Sequence, residues 1–451
     1  MFFLPLHIFA ANKAVHLLHR FETSANPLVS GEHNYPQIIK LPHLEFPLIW
    51  LSSNFAKDLD PKIKESLIFK NSKGEEYIRW VLAPTENEIG HPGKYTKIFN
   101  KDIIDFIASK KGDTQLHYYY TGYPTASTTY LLEDPNSKIT FFIKTSNAAA
   151  PSGAYKAKRR SANEASDARL INDYLVQIQE IKPFKYFTFF QEPAAFTLSE
   201  IDMALIIRDS GDMKNFDSKF FYLPAFSITD EKIGKEIALR NSFTDPFVFW
   251  TAHLPKILAS AMTELFLRTG LTLDSPHGQN YLFELDKNMK LTGRLVFRDL
   301  ADVYVHHSFY DLYKDKYNLK KFSQKENILL FKHGVEISAR PLETTSDHFP
   351  DSLFGHQWLP EQREIIRAWQ KPFVDEVDRV IHEMTGIDPK IIELEEFKNH
   401  PDDKYIIYFK EGMYHRFLLD DSTSHWSTYL RQVNHEGALD INIISCKNIF
   451  K

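Results

Sequence analysis

The sequence predicts an α+β protein built from more than one domain. Its 451 residues are too many for a single hydrophobic core, so we expect two or three domains. Short runs of β-branched and aromatic residues fill the middle of the chain, and helical periodicity dominates after residue 244. Because a strand-rich part is followed by a helix-rich part, we predict the α+β class.

We divide the chain into three predicted domains. Residues 1–112 mix short helical and extended patterns and form an N-terminal domain. Residues 113–244 form a β-rich middle domain, and residues 245–451 form a helix-rich C-terminal domain. The sequence has no internal repeat and no low-complexity linker.

The middle domain carries the pattern of an antiparallel sheet. Apolar, β-branched and aromatic runs separated by turn residues predict strands of this sheet at 118–120, 128–132 and 139–143. Similar runs predict further strands at 186–190, 204–207 and 220–223. One helix is expected among these strands, over residues 161–182.

The C-terminal domain begins with a long amphipathic helix. Apolar residues recur at three- and four-residue intervals from Leu254 to Phe266, and Gly270 supplies the stop. Two extended segments, 280–285 and 291–297, flank a polar turn and predict a hairpin. The remaining predicted elements are helices over 359–385 and 389–397 and a strand over 404–409.

Composition and motifs exclude several classes of protein. A net charge of −5 argues against a general nucleic-acid binder, because affinity for phosphate backbones comes from clustered Lys and Arg. The single cysteine, Cys446, rules out an intrachain disulfide and fits the reducing cytoplasm, which is the compartment we expect. The motifs of P-loop ATPases, Rossmann enzymes and α/β-hydrolases do not occur. We interpret the apolar residues 1–11 as a buried segment, with a signal peptide as the alternative, and expect no membrane span.

The most informative residues flank the predicted hairpin. His277, Gln279 and Asn280 precede it, and Arg298 and Asp299 follow it. Because the two ends of a hairpin meet at one edge of a sheet, we expect these side chains to lie close together. Such a set offers a donor to an oxyanion and oxygen ligands to Mg²⁺, which needs only one or two protein oxygens. The alternative is a structural role, as caps, a turn and a surface ion pair.

This order of residues resembles a known family signature. The string His277-Gly-Gln-Asn280, then a hairpin, then Arg298-Asp299 is similar to the aerobactin-synthetase (IucA/IucC) family. Members of that family are siderophore synthetases that work independently of nonribosomal peptide synthetases. The resemblance covers roughly residues 115–305.

Upstream segments carry further parts of the resemblance. Pro124 to Thr129 resembles the phosphate-binding loop of the family, and Phe141 to Lys144 resembles the strand that ends in its lysine. Ser152 and Lys156 stand where relatives show Thr-Ser-x-x-Arg. By this resemblance the ATP-binding residues would be Ser127, Thr128, Thr129, Lys144, Ser152, Lys156, Gln279, Asn280 and Arg298.

The resemblance also implies a fold and a reaction. The domains would form a cupped hand, with a nucleotide-binding middle domain and a C-terminal domain that completes the cleft. ATP would adenylate a carboxylic acid such as citrate and release pyrophosphate, and an amine or alcohol would then displace AMP. The catalytic residues would be His277, Lys144 and Asp299, and Asn280 with Asp299 would hold Mg²⁺. The expected partners are these small molecules, with a homodimer as a further option and no nucleic acid or membrane.

Two arginines of the family pattern are replaced in this chain. After Ser127 the family arginine gives way to Thr128 or Thr129. The second arginine appears as Lys156, unless Arg159 or Arg160 takes its role. The segment before residue 112 is also shorter than the resemblance implies.

Other assignments stay open on the sequence alone. Lys138 competes with Lys144 for the phosphate-binding lysine, and we prefer Lys144 because it ends an unbroken apolar strand. Glu192 fits a metal-binding role and a structural role equally well. For the whole chain, the alternatives are a non-catalytic protein that binds nucleotide, carboxylate or siderophore, and a ligase that acts outside iron uptake.

Overall fold

The computed structural model describes residues 13–25, 38–55, 59–83, 97–125, 129–146, 160–214, 217–273, 278, 280–299, 303–305 and 314–319, and parts of 372–384 and 404–419. Within these residues the named helices are α1 (Lys13–Ala25), α2 (Pro61–Leu67), α3 (Lys97–Ser109), α4 (Ala162–Ile181), α5 (Glu231–Arg240) and α6 (Pro246–Thr269). The strands are β1 (Ile39–Pro47), β2 (Ser52–Phe55), β3 (Ile68–Lys70), β4 (Glu76–Val81), β5 (His117–Pro124), β6 (Thr129–Glu133), β7 (Thr140–Lys144), β8 (Phe187–Phe189), β9 (Ala194–Leu198), β10 (Met203–Asp209), β11 (Phe221–Pro224), β12 (Leu271–Leu273), β13 (Tyr281–Leu285), β14 (Leu291–Phe297), β15 (Val303–Val305), β16 (Lys404–Lys410) and β17 (Met413–Leu419).

A nine-stranded antiparallel sheet forms the largest layer. Its strand order is β2-β9-β10-β7-β6-β5-β1-β4-β3. Strand β7 lies in the interior of this sheet, antiparallel to β6 on one side and to β10 on the other. The register places Lys144 opposite Thr129 of β6 and Ile206 of β10, so these three side chains share one face.

Strands β6, β7 and β10 are buried on both faces of this sheet, and their residues are apolar at successive positions. Side chains such as Ile143 and Phe196 point to one face and share a core with α2 and α3. On the opposite face Ala195 and Ile206 pack against Ala165 and Ala168 of α4. Helix α4 therefore covers the face on which the Lys144 side chain lies.

A four-stranded sheet of order β11-β13-β14-β8 forms a second layer. Strand β8 runs parallel to β14, and the other neighbouring pairs are antiparallel. Helix α6 packs against β8, β12 and β14. The helix begins where the Asp245 carboxylate accepts hydrogen bonds from two backbone amides, and it ends at Gly270, whose left-handed φ of 68° closes the last turn.

The predicted α+β class and most predicted elements are confirmed within the described residues. The helix predicted over 161–182 is α4, and the hairpin predicted over 280–285 and 291–297 is β13 and β14. The strand predicted over 404–409 is β16. Of the predicted helix over 359–385, the described residues 375–377 and 379–384 are helical, and 389–397 lies outside the described residues.

The strands predicted over 186–190 and 220–223 are confirmed as β8 and β11, and both lie in the four-stranded sheet with the C-terminal hairpin. The reason is that Phe187 of β8 packs against Phe297 of β14, which ties this strand to the C-terminal hairpin. The first part of the chain also holds a helix, α1, that the sequence analysis did not identify.

Strand pairing crosses both predicted domain boundaries. The large sheet takes strands from both sides of residue 112, and the four-stranded sheet takes strands from both sides of residue 244. The division at these residues and the cupped-hand arrangement stay predictions. None of the helices in the described part of the chain is both long enough and apolar enough to cross a bilayer.

Gly270 offers a test of how the long helix ends. An alanine side chain is strained in the left-handed conformation, so Gly270→Ala should lower the free energy of unfolding by about 1 kcal/mol. Gly270→Asn is the matched control, because asparagine tolerates this conformation, and it should cost clearly less. Urea denaturation of the three proteins measures both effects. Equal losses in both variants would show that the backbone conformation is not the cause.

Candidate functional site

Lys144 is a charged side chain at the end of a buried strand. Its side chain is fully buried, and its ammonium group donates a hydrogen bond to the Asp299 carboxylate, 155 residues further along the chain. Asp299 itself is partly exposed, with 20% of its side chain accessible. The contact therefore joins the large sheet to the segment that follows the C-terminal hairpin.

Two further carboxylates lie close to the same ammonium group. Lys144 Nζ is 3.6 Å from Oε1 of Glu192 and 3.7 Å from Oε1 of Glu164. Burial lowers the pKa of Lys144, but Asp299 and then Glu192 outweigh that effect and raise it above the ordinary lysine value. Lys144 therefore stays protonated at neutral pH and acts as a fixed positive charge.

The start of α4 brings Glu164 to this position. Ser161 caps the helix by accepting a hydrogen bond from the Glu164 amide, at 3.1 Å. The Arg160 guanidinium pairs with the Glu164 carboxylate, and the Arg160 amide donates to Ser146 Oγ at 3.0 Å, two residues beyond Lys144. The helix cap and the end of β7 are thus fixed to each other.

Glu192 is held from several sides. Its Oε1 accepts hydrogen bonds from Nε and Nη2 of Arg208 on β10, at 3.1 and 2.7 Å. Its backbone amide donates to Asn172 and its carbonyl accepts from Arg169, both on α4 and both at 2.7 Å. No described donor lies within hydrogen-bonding distance of its other oxygen, Oε2. Glu192 is therefore a fixed, fully buried carboxylate with one unused acceptor.

Asp299 adopts a backbone conformation that is unusual for its residue type. Its φ is +71°, in the left-handed region that non-glycine residues rarely occupy. Just before it, the Arg298 amide donates to the Asn280 carbonyl at 2.9 Å, which continues the pairing of β13 with β14. The Arg298 guanidinium pairs with Glu22 of α1, and both side chains are buried. The residue before Asp299 is therefore anchored through its backbone and through its side chain.

The connection between β5 and β6 begins and ends in described residues. The amide and the hydroxyl of Thr125 both donate to the Thr129 carbonyl, at 3.2 and 2.7 Å. These bonds close the connection that contains Ser127 and Thr128, which lie outside the described residues. Thr129 itself is buried and faces the same side of the sheet as Lys144.

The structure brings together four of the predicted site residues. Lys144, Asn280, Arg298 and Asp299 meet where the end of β7 approaches the end of the hairpin, and Thr129 is the cross-strand neighbour of Lys144. Six of the predicted residues lie outside the described part of the chain: Ser127, Thr128, Ser152, Lys156, His277 and Gln279. The alternative Arg159 also lies outside it. Their roles stay predictions.

The two candidate lysines lie in different surroundings. Lys138 is exposed, with 68% of its side chain accessible, and its ammonium group is 3.5 Å from the Glu133 carboxylate. Lys144 is enclosed by three carboxylates. Of the alternatives for the second arginine, Arg160 is buried next to Lys144, where it pairs with Glu164.

The charges around Lys144 balance among the described residues. The Lys144 cluster, as we define it, consists of the cations Lys144, Arg160 and Arg208 and the carboxylates Glu164, Glu192 and Asp299. These six side chains by themselves carry no net charge. An anion therefore has to compete with internal carboxylates for these cations.

Sequence reasoning missed two of the carboxylates at this site. Glu164 had a local signal, since Ser161-x-x-Glu164 is a capping box and Arg160 precedes Glu164 by one helical turn. Glu22 had none, because it pairs with a residue 276 positions away. Only the folded chain brings α1 to the hairpin.

A magnesium site of the predicted kind needs few protein ligands. Among the described residues, no group of three or more His, Cys, Asp and Glu side chains is arranged to hold a metal ion. Mg²⁺ keeps several waters and is commonly bound through one or two protein oxygens together with phosphate oxygens. Asp299 is partly exposed and its carboxylate bonds to Lys144, while Asn280 is joined to this segment through its backbone carbonyl.

No family model and no curated protein matches the chain. Among solved structures, it is similar to the petrobactin biosynthesis protein AsbB of Bacillus anthracis, with 13% identity, a TM-score of 0.46, and coverage of 82% of this chain and 60% of that chain. It is also similar to aerobactin synthetase IucA of Klebsiella pneumoniae, with 12% identity, a TM-score of 0.45, and coverage of 78% and 62%. The ATP-bound form of IucA gives 11% identity, a TM-score of 0.49, and coverage of 90% and 79%. The chain spans 60% of the length of AsbB.

The different surroundings of the two lysines lead to a paired stability test. Lys144→Met leaves three carboxylates without their shared cation, and breaking a buried ion pair costs about 3–5 kcal/mol. Lys138→Met is the matched control, because an exposed pair changes stability by only about 0.5 kcal/mol. Urea denaturation of both variants measures the difference. Equal losses would show that Lys144 is not the centre of a buried charge cluster.

Proposed function

We propose that this chain is an ATP-dependent ligase of siderophore biosynthesis, which adenylates a carboxylic acid such as citrate and joins it to an amine or an alcohol. The observation that carries the proposal is the contact between Lys144 and Asp299. The resemblance rests on two stretches of sequence, one upstream that includes Lys144 and one downstream that ends at Asp299. The fold unites these stretches at one place, as a shared active site requires.

The reaction explains why cations are needed at this place. A carboxylate and a triphosphate repel each other, so an adenylating site has to neutralise both as charge moves between them. Lys144, Arg160 and Arg208 are buried cations, and electrostatic interactions are stronger in a site from which water is excluded. Because internal carboxylates already pair with these cations, phosphate oxygens would displace a carboxylate rather than bind an unpaired cation.

Asp299 is the carboxylate best suited to be replaced. It is the most exposed of the three carboxylates next to Lys144, and its left-handed backbone is costly to hold. We propose that phosphate takes its position on Lys144 and that the Asp299 carboxylate turns to Mg²⁺, together with Asn280. Mg²⁺, when bound, supplies positive charge to the phosphate oxygens. Glu192 stays in place, because Arg208 and α4 hold it from several sides.

The remaining predicted residues complete the proposed site. Ser127, Thr128 and Thr129 would donate hydrogen bonds to phosphate oxygens, and His277 would stabilise charge that develops during acyl transfer. Lys156 would contact the carboxylate of the substrate as a point charge, where an arginine would supply a bidentate fork.

A protein that binds its ligand without catalysis is the second candidate. The charge balance of the Lys144 cluster favours it, since buried ion pairs are also found as structural elements. This candidate predicts binding of nucleotide or carboxylate without turnover. Measuring binding and turnover separately distinguishes the two.

The proposed reaction can be tested directly. Incubated with ATP, Mg²⁺ and a panel of carboxylic acids and amines, the protein should release pyrophosphate and AMP in equal amounts, and only when a carboxylic acid is present. Calorimetric titration with ATP provides the binding measurement. Binding without pyrophosphate release would leave the non-catalytic candidate, and the absence of both from a folded sample would remove the ligase proposal.

Asp299→Asn tests the proposed exchange of partners at Lys144. The amide keeps the shape of the carboxylate but loses the charge that Mg²⁺ prefers, so turnover should fall by about 100-fold or more. ATP should still bind without Mg²⁺, at least as tightly as to the wild type, because Lys144 has lost a competing carboxylate.

Asp286→Asn is the matched control for that variant. Asp286 stands at the opposite end of the same hairpin, where its carboxylate accepts backbone hydrogen bonds from Asn288 and Lys290, and an asparagine can accept the same bonds. Turnover and ATP affinity should stay at wild-type values in the control. If Asp299→Asn also keeps full turnover, Asp299 has no role in catalysis.

A further inference from the structure

Helix α1 contacts two parts of the candidate site, the end of β5 and the segment that follows the hairpin. Its residues His19 and Glu22 are three positions apart, so they project from the same side of the helix. His19 contacts the end of β5, and Glu22 contacts Arg298 after the hairpin. No part of the sequence signature lies in this helix.

The contact of Glu22 is a fully buried ion pair. Glu22 has no exposed surface, and Arg298 is 4% exposed. A buried carboxylate and guanidinium each depend on the other, because either one alone would be strongly disfavoured away from water. The pair therefore fixes the distance between α1 and the backbone at Arg298.

Asp299 depends on this anchor. It directly follows Arg298, and its left-handed φ of +71° has to be imposed by its neighbours. The constraints on its N-terminal side are the Arg298 amide bond to Asn280 and the Glu22 pair. Its side chain bonds to Lys144 and lies 3.9 Å from the Arg208 guanidinium.

The contact of His19 lies at the end of β5, where the connection to β6 begins. His19 Nδ1 is 3.1 Å from the Pro124 carbonyl, and because a carbonyl only accepts, Nδ1 carries the proton and donates. Pro124 precedes Thr125, whose amide and hydroxyl close the connection that contains Ser127 and Thr128. The His19 ring also packs edge-on against Tyr123, at 5.7 Å between ring centres.

The helix is itself rigidly seated. Val15, Leu18 and Phe21 are completely buried in the main core. The Ser227 hydroxyl donates to the Phe21 carbonyl at 2.9 Å, next to Glu22. A helix fixed in this way can hold other segments in position.

We propose that α1 is a positioning element of the site: Glu22 holds Arg298 and thereby the backbone of Asp299, and His19 holds the carbonyl at the start of the Ser127 connection. The effect on ligation rests on the function proposed above. The positioning itself does not, since it concerns contacts within the chain.

Hydrogen exchange of single amides tests the positioning without any substrate. In Glu22→Gln the shape is kept and the charge is lost, so the Arg298 amide should exchange about 10- to 100-fold faster than in the wild type. The Leu295 amide lies in β14, the strand that precedes Arg298, and donates to the Tyr186 carbonyl; its exchange should change far less. A variant that only lowers global stability would accelerate exchange of both amides equally. That result would overturn the proposal.

A matched control comes from the same helix. Arg20 forms an exposed pair with Glu236, so Arg20→Gln removes a charge from α1 without touching the site. It should leave exchange at Arg298 unchanged. Glu22→Asp retains a carboxylate, so it provides a folded variant even if Glu22→Gln fails to fold. Its Arg298 amide should exchange faster than in the wild type and, where Glu22→Gln folds, more slowly than in Glu22→Gln. The proposal is wrong if the Arg298 amide exchanges as slowly in both Glu22 variants as it does in the wild type.

The second contact has its own variant. His19→Leu removes the donor to the Pro124 carbonyl, and the Thr125 amide should then exchange faster, with the Leu295 amide again as the internal reference. Unchanged exchange at Thr125 would restrict α1 to its contact with Arg298 and overturn the proposal in its full form.

Turnover then links the positioning to the proposed function. In an active enzyme, Glu22→Gln should raise the Mg²⁺ concentration needed for half-maximal pyrophosphate release, while Arg20→Gln should not. If the wild type releases no pyrophosphate, the proposed function fails, and the exchange measurements still decide the positioning. If exchange changes as expected but the Mg²⁺ dependence does not, α1 does not position Asp299 for the metal.

Discussion

The buried ammonium group of Lys144 is the constraint on which the arrangement of the site depends. A charge with no exposed surface has to be matched by opposite charges at short range, because removing it from water is otherwise too costly. Glu164 comes from the start of α4, Glu192 from the segment before β9, and Asp299 from the end of the hairpin. One cation on β7 therefore draws together three separate parts of the chain.

This requirement also shapes the backbone around the site. The bond to Lys144 and the anchored Arg298 hold Asp299 in a left-handed conformation that non-glycine residues seldom adopt. Arg208 holds Glu192 without displacing it from Lys144. In the function we propose, a strongly anionic ligand exchanges with Asp299, the most exposed carboxylate of this internally balanced cluster. We regard this combination as the physical basis of the proposed binding of ATP.

The parts of this arrangement that local patterns encode were predictable from the sequence. Apolar periodicity and Gly270 predicted helix α6, and two extended segments around a polar turn predicted the hairpin that delivers Asn280 and Asp299. The unbroken apolar run also predicted strand β7, which ends at Lys144, whereas the preference for Lys144 over Lys138 as the phosphate-binding lysine stays a prediction. The placement of β8 beside β14 and the pairing of Glu22 with Arg298 were not predictable, because both depend on contacts between residues more than 100 positions apart. No periodicity or motif encodes such contacts in one sequence.

The contact between Lys144 and Asp299 can be measured as a coupling free energy. A double-mutant cycle with Lys144→Met, Asp299→Asn and the combined variant, followed by urea denaturation, isolates the interaction between these two side chains from their other contacts. The account predicts a coupling of about 1–3 kcal/mol, because the pair is shielded from water. Effects that add to within about 0.5 kcal/mol would contradict it, and the two stretches of sequence would then not form one site.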